Sequence, residues 1–135
     1  MTSALHRMSE PHALGVTGLS ARTLIGVEQN VTWATLEDVW FQPGARVPLH
    51  LHTYNEVGIA QEGTVEFHVG DEVLTVTPGE VVIIPAGTPH KVHNPGQDVA
   101  HHLALASVRS DEMPAQTQVL DDPDAPPPPS GTTDS

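Results

Sequence analysis

The sequence predicts an all-β protein, a small barrel or sandwich of antiparallel strands with poorly structured ends. Three observations predict it. Short runs that are apolar, or alternate apolar with polar, follow one another at close spacing and are separated by turns bearing Gly and Pro. Nowhere do apolar residues recur at the 3.6-residue period of a core helix. The patterned region, residues 20–109, is about ninety residues long, which suffices for one such core.

The first strand is expected at 22–26, a short β-rich run. Residues 31–41 alternate for much of their length and stop at the turn Gln42-Pro43-Gly44. Residues 56–61 and 64–69 are paired through a Glu62-Gly63 turn. Gly70-Asp71-Glu72 turns the chain into 73–77, and Pro78-Gly79 turns it again into 81–84, a continuous apolar run of buried-strand length. Residues 99–108 form the last long strand.

The ends differ in composition. Residues 1–19 show no sustained periodicity and are expected to be a flexible arm. Residues 110–135 carry Asp111, Glu112, Asp121, Asp122, Asp124 and Asp134, four consecutive prolines at 126–129 and a Ser/Gly/Thr end. Such a segment buries too little apolar surface to offset its ordering entropy, so a disordered acidic, Pro-rich tail is expected.

Charge and cysteine content exclude several classes. The chain has a net charge of −12, and residues 20–109 still hold ten acids against Arg22, Arg46, Lys91 and Arg109. That sign, with no basic patch, excludes nucleic acid and disfavours an anionic membrane surface. There is no cysteine, hence no disulfide framework and no thiolate ligand. The first eight residues lack a charged segment followed by an apolar run, and no apolar stretch reaches membrane-span length. Cytoplasmic residence is the expectation.

Two stretches carry chemistry. In the first, Gly44 is followed at fixed intervals by His50-Leu51-His52, Glu56 and Gly63; in the second, Gly79 is followed by Pro85-Ala86-Gly87, His90 and Asn94. His50 and His52 are two apart, so on a strand they share a face. Glu56 follows after Thr53-Tyr54-Asn55, an excursion that lets the next strand return beside the first. His90 leaves a tight turn shaped by Pro85 and Gly87. Three imidazoles and one carboxylate suit a single divalent transition metal such as Fe, Mn, Ni, Zn, Co or Cu. The carboxylate would reduce the ion's net charge to about +1, which eases its burial.

Both stretches resemble the two motifs of the cupin superfamily at every defining position, over residues 40–95, with the short spacing between motifs seen in compact single-domain members. The resemblance implies a jelly-roll-like β-barrel of six to eight strands. It carries the metal-ligand roles onto His50, His52, Glu56 and His90, and gives Asn94 a structural role. It also implies a metal-dependent protein acting on a small molecule. Dioxygenase-like chemistry is favoured. The alternatives are a metal-dependent isomerase, lyase or cyclase, and a non-catalytic metal- and ligand-binding module.

The surroundings of the ligands yield further expectations. Gly58 and Ala60 share the face of Glu56, and their small size predicts an open pocket unless Phe67 or Trp40 fills it. Val57 and Ile59 fall on the opposite face, which suggests a homodimer. Arg46 shares the parity of His50, interrupted only by Pro48, and would either anchor a substrate carboxylate or lie at the rim. Tyr54 would donate a phenolic proton or simply pack. One of His101 and His102 must face inward, with His102 the candidate for general-base or supporting chemistry. His68 and His93 are expected at the surface, and Trp33 and Trp40 in the core or a dimer seam.

Overall fold

The computed structural model describes residues 4–125 and contains two antiparallel sheets. In chain order the strands are β1 (His12–Ala13), β2 (Leu19–Ile25), β3 (Thr35–Phe41), β4 (Arg46–His52), β5 (Glu56–Glu62), β6 (Val65–Val69), β7 (Glu72–Val76), β8 (Val81–Ile84), β9 (His90–His93), β10 (Ala100–Ala106) and β11 (Thr117–Val119). One sheet runs β1-β2-β3-β10-β5-β8 and the other β11-β4-β9-β6-β7. Helix among the described residues is confined to three single 3-10 turns, Val27–Gln29, Ser110–Glu112 and Pro114–Gln116. The expected all-β barrel is what the chain forms, but the expected pairing of 56–61 with 64–69 is not. The Glu62-Gly63 turn carries the chain from one sheet to the other, so β5 pairs with β10 and β8 while β6 pairs with β7 and β9. No helix among the described residues is long and apolar enough to cross a membrane.

Alternation decides which face of each strand is buried. Val65, Phe67 and Val69 of β6 turn inward while Glu66 and His68 between them stay partly exposed. On β10 the inward set is Ala100, His102 and Ala106. Val65, Phe67, Val69 and Ala100 meet Phe41, Val82, Ile84 and Val92 in one cluster, while Ala106 packs with Tyr54 and Val108 in a second. Each large side chain buried there contributes about 1.5–3 kcal/mol. Asn94, fully buried beyond β9, holds the ends of the sheet together. Its amide nitrogen donates to Phe41 O and Asp98 O, and its oxygen accepts from Gly96 N.

The two ends depart from expectation. β1 pairs with β2, so part of the presumed arm is an edge strand, and β2 already begins at Leu19. Residues 110–119 are ordered rather than free. The two 3-10 turns lead into β11, which pairs with β4 through Thr117↔His52, Gln118↔Leu51 and Val119↔His50. The reason is an otherwise open edge on β4, whose unpaired backbone groups take up a strand whatever its net charge. Met113 anchors the crossing against Tyr54, Ala106 and Val108, and Lys91 Nζ binds Asp122 Oδ2 at 2.7 Å. The expected disorder of the proline run falls on residues outside the described ones.

Neither tryptophan enters the core. Trp33 is 75% exposed. Trp40 lies on the outer face of its sheet, stacked on His101 at 4.8 Å with the Arg22 guanidinium over it. Its neighbours on β3, Glu37, Val39 and Phe41, are paired with or adjacent to the inward positions of β10.

The turn glycines separate two kinds of constraint. Gly63 has φ +72° and a Cβ there would stand 2.9 Å from Ala100 Cα and Val99 O, whereas Gly44 has φ +83° and open space around it. Gly63→Ala is expected to destabilise by about 2–4 kcal/mol, from left-handed strain plus a backbone clash. Gly44→Ala carries the strain alone, about 1–2 kcal/mol. Parallel urea titrations measure both, and equal losses would show that the Gly63 clash is relieved by movement.

Candidate metal centre

Three imidazoles meet inside the barrel. β4 supplies His50 and His52, with ring centroids 4.7 Å apart, and His90 opens β9 directly opposite His50, at 4.1 Å. One nitrogen from each ring lies within 4.8 Å of the others. Glu56 reaches the cluster from the other sheet, its Oε1 3.6 Å from His52 Nε2 and 3.5 Å from His90 Nε2. Two donors bound to one ion at ~2.1 Å and subtending 90–120° stand ~3.0–3.6 Å apart, so the Glu56 separations fit a shared ion, and the imidazole nitrogens would draw in by up to about 1 Å to share it.

Each ring is oriented from behind. His50 Nδ1 donates to Pro48 O at 2.7 Å and His90 Nδ1 to Thr88 O at 2.9 Å. Carbonyl oxygens only accept, so the neutral form of either ring carries its proton on Nδ1 and leaves the Nε2 lone pair free. His52 Nδ1 meets Thr117 Oγ1 at 2.7 Å, and that hydroxyl itself donates to Met113 O at 2.8 Å. The threonine oxygen therefore accepts from His52, which fixes the same tautomer. His90 Nε2 is buried without a hydrogen-bond partner, an orphaned lone pair of the kind a cation satisfies.

The electrostatics match. Burial, reinforced by the adjacent His90, pushes His50 down to about 4, so its ring is neutral at physiological pH. Burial alone would raise Glu56, but the His52 and His90 rings, when protonated, donate to it and place positive charge beside it, which outweighs burial and lowers it to about 2. A divalent ion in the same position would act in the same direction. A neutral His50 ring and an ionised Glu56 carboxylate are protonation states that a divalent transition metal requires. The residues present fit such an ion.

A cavity of about 220 Å³ opens beside the cluster. Its walls are mainly apolar and include Phe41, Phe67 and Ile84, with Glu37, Tyr54 and His102 as the polar groups apart from the ligand cluster. Gly58 lines it as expected, while Ala60 packs into the core and Phe67 partly fills the space left over. Tyr54 is buried and stacks on His52 at 4.5 Å, and burial pushes its phenol up to about 12. His102 is the inward member of its pair. It lies edge-on to Phe41 and roughly parallel to Phe67, and neither ring nitrogen has a partner. Burial, then the charge of His101, pushes it down to about 4.

Arg46 is not in this cavity. From Val47↔Val92 to His50↔His90, β4 uses one residue more than β9, a bulge at Pro48-Leu49. The bulge reverses parity, so Val47 and His50 face inward and Arg46 faces out. Arg46 instead lines a larger groove, about 550 Å³, on the outer face of the second sheet, with His68, Lys91, His93 and Asp122. That groove contains none of the clustered imidazoles. Of the two expectations for Arg46, the carboxylate anchor inside the barrel is the one this placement contradicts.

Four functional positions escaped the sequence. Glu37 lines the cavity from β3, and burial together with the Glu56 charge raises its pKa. The alternation of β3 was a usable signal, since Glu37 shares the parity of Val39 and Phe41. Thr117 and Met113 come from the segment taken as tail, and Leu14, another wall residue, from the presumed arm.

The profile of the cupin domain family matches residues 38–105, half of the chain. The chain belongs to the cupin family. Over 57 residues this cupin is 40% identical to the xanthan biosynthesis protein XanB of Xanthomonas campestris pv. campestris strain B100, a match covering 42% of this chain but 12% of XanB. Among solved structures it resembles the polyketide cyclase RemF from Streptomyces resistomycificus, with TM-score 0.72 and 21% identity over 92% of this chain and 89% of RemF. It also resembles an oxalate decarboxylase of Bacillus subtilis, with TM-score 0.71 and 21% identity over 87% of this chain and 33% of the enzyme. At such identities the likeness establishes the fold.

The Thr117 contact is testable on its own. Thr117→Val removes the acceptor behind His52 and is expected to weaken metal binding by about 10–100-fold, while Thr117→Ser retains it. Competition against a chromophoric chelator measures the affinities. Equal binding by the valine variant would show that His52 needs no such support.

Proposed function

We propose that this cupin is a metal-dependent enzyme that transforms a small organic molecule held in the barrel. The observation that carries the reading is the convergence of three imidazoles and Glu56 on the wall of a cavity, His90 Nε2 being buried without a hydrogen bond and 3.5 Å from Glu56 Oε1. In this reading His50, His52, Glu56 and His90 hold one divalent transition metal. The bound ion would polarise a substrate oxygen or, if redox-active, support oxygenation.

The protein's own groups contribute proton handling. Tyr54, with its phenol at about 12, stays protonated near neutral pH and serves only as a donor. His102 is neutral there and offers one donor and one acceptor. Glu37 supplies a carboxyl group on the facing wall. Three such groups beside a Lewis-acid site suit a cyclase, isomerase or lyase, and the near full-length likeness to a polyketide cyclase agrees with that class. Dioxygenase-like chemistry is the second reading, supported by the apolar walls, which keep water from the reacting centre.

Metal analysis of purified protein, followed by substrate panels with and without oxygen, tests the proposal. Stoichiometric metal and conversion that persists without oxygen are expected, and His52→Ala is expected to abolish both. Conversion with matched oxygen uptake would select the dioxygenase reading. Stoichiometric metal in the His52→Ala protein would refute the ligand set. Ligand-dependent thermal stabilisation without turnover would replace the enzyme by a binding module.

The partner we infer on the outer face of the six-stranded sheet is a second copy of this chain. Val81, Ile83 and Leu105 are 54%, 66% and 40% exposed, and with Val57 and Ile59 they form one apolar stripe across β8, β5 and β10. Ile83→Glu is expected to convert a dimer into a monomer by light scattering. A wild-type protein that is monomeric at high concentration would overturn the inference.

A further inference from the structure

The cavity beside the ligand cluster has an unusual balance of charge. Its described walls include no lysine or arginine, and two carboxylates, Glu37 and Glu56, face it. Every other wall residue is apolar except Tyr54 and the histidines. A divalent ion held with Glu56 would carry a net charge of about +1, and Glu37 sets a further carboxyl group against an incoming anion. The arginine that the sequence offered for a carboxylate lies on the other side of β4.

Among the wall groups with a buried polar atom lacking a hydrogen bond (Tyr54, His90 and His102), His102 is the one with two such atoms. His102 is 2% exposed, and both of its ring nitrogens are buried without partners. A buried nitrogen left unpaired carries the full cost of its desolvation, so a ligand that pairs with it gains what the free protein lacks. Phe41 and Phe67 flank the ring, at 5.5 Å and 5.6 Å between centroids, and present aromatic surface to the same space. Gly58 keeps that space open, because a Cβ there would stand 3.6 Å from His102 Nδ1 and 2.9 Å from Val82 Cγ1.

Resting on the metal-enzyme reading, and narrowing it to a substrate class, we propose that the cavity selects a neutral, largely apolar, planar molecule bearing a hydroxyl or carbonyl oxygen. His102 hydrogen-bonds that oxygen-bearing end, and Glu37 rejects carboxylates of the same shape. Short dicarboxylates are excluded on the same ground. The selection is a property of the protein walls and therefore operates with or without the ion.

A matched pair separates shape from charge. 2-Naphthol is neutral near pH 7 and 2-naphthoate is an anion of similar outline. Isothermal titration of both into metal-loaded protein, its metal content measured first, and into metal-free protein reads the preference twice. Naphthol is expected to bind at least about tenfold more tightly in both forms. Glu37→Gln is expected to narrow the gap by strengthening naphthoate, and His102→Phe to weaken naphthol by about tenfold, since the second ring keeps the packing but not the hydrogen bond. Naphthoate binding as tightly as naphthol to the metal-free wild type, or neither compound binding, would overturn the proposal. Unchanged naphthol affinity in His102→Phe would overturn the role of His102. Failure of the protein to retain metal would instead strike the enzyme reading, while the metal-free comparison still decides the cavity's preference.

Discussion

Three imidazoles pinned by their Nδ1 atoms are the constraint on which the rest of this protein turns. A histidine ring free to rotate offers either nitrogen, in either tautomer, to whatever lies nearby. Here Pro48 O, Thr88 O and Thr117 Oγ1 each occupy one nitrogen and leave the other aimed at a common point. The three acceptors come from three places: a bulge in β4, the turn before β9, and a strand that returns from the far end of the chain. Holding a metal-competent cluster therefore requires the bulge, the turn and the C-terminal crossing at once.

The same bulge apportions charge between the inside and the outside. An extra residue at Pro48-Leu49 keeps Val47 and His50 on one face and sends Arg46 to the other. The interior is left with carboxylates and neutral rings, and the exterior of that sheet gains Arg46, Lys91 and two histidines. On so acidic a chain, this outer strip gives the acidic segment after β11 a surface to dock on, as the Lys91–Asp122 pair shows. Docking, in turn, keeps Thr117 against His52.

The barrel gives up packing to keep its cavity. Gly58 at an inward position, and Ala104 across from Glu37, leave space that larger side chains would close. The cost is partly recovered at the two ends of the chain. Leu14 and Met113 close the walls, and β1 and β11 cover edges that would otherwise be exposed.

Much of this was legible in the sequence. Period-two alternation and the Gly- and Pro-bearing turns specify strands because side-chain direction and positive φ are local properties, and the strands of the central region fall close to where they were expected. Which strands pair is not local: β5 joins β10 and β8 rather than β4 or β6. The histidine and glutamate spacings likewise placed His50, His52, Glu56 and His90 at strand positions able to converge. What parity could not see was the bulge, an insertion defined only relative to a partner strand, and so the choice between an inward and an outer Arg46 stayed open in the sequence. Nor could composition reveal that the open edge of β4 would recruit residues 117–119, because that pairing is stabilised by backbone groups and not by the side chains that made the segment look disordered. The choice of His102 over His101, the cavity position of Glu37 and the tautomer of His52 were likewise decided by tertiary structure. Each depends on which atoms from distant segments share a volume, and a linear sequence does not encode that directly.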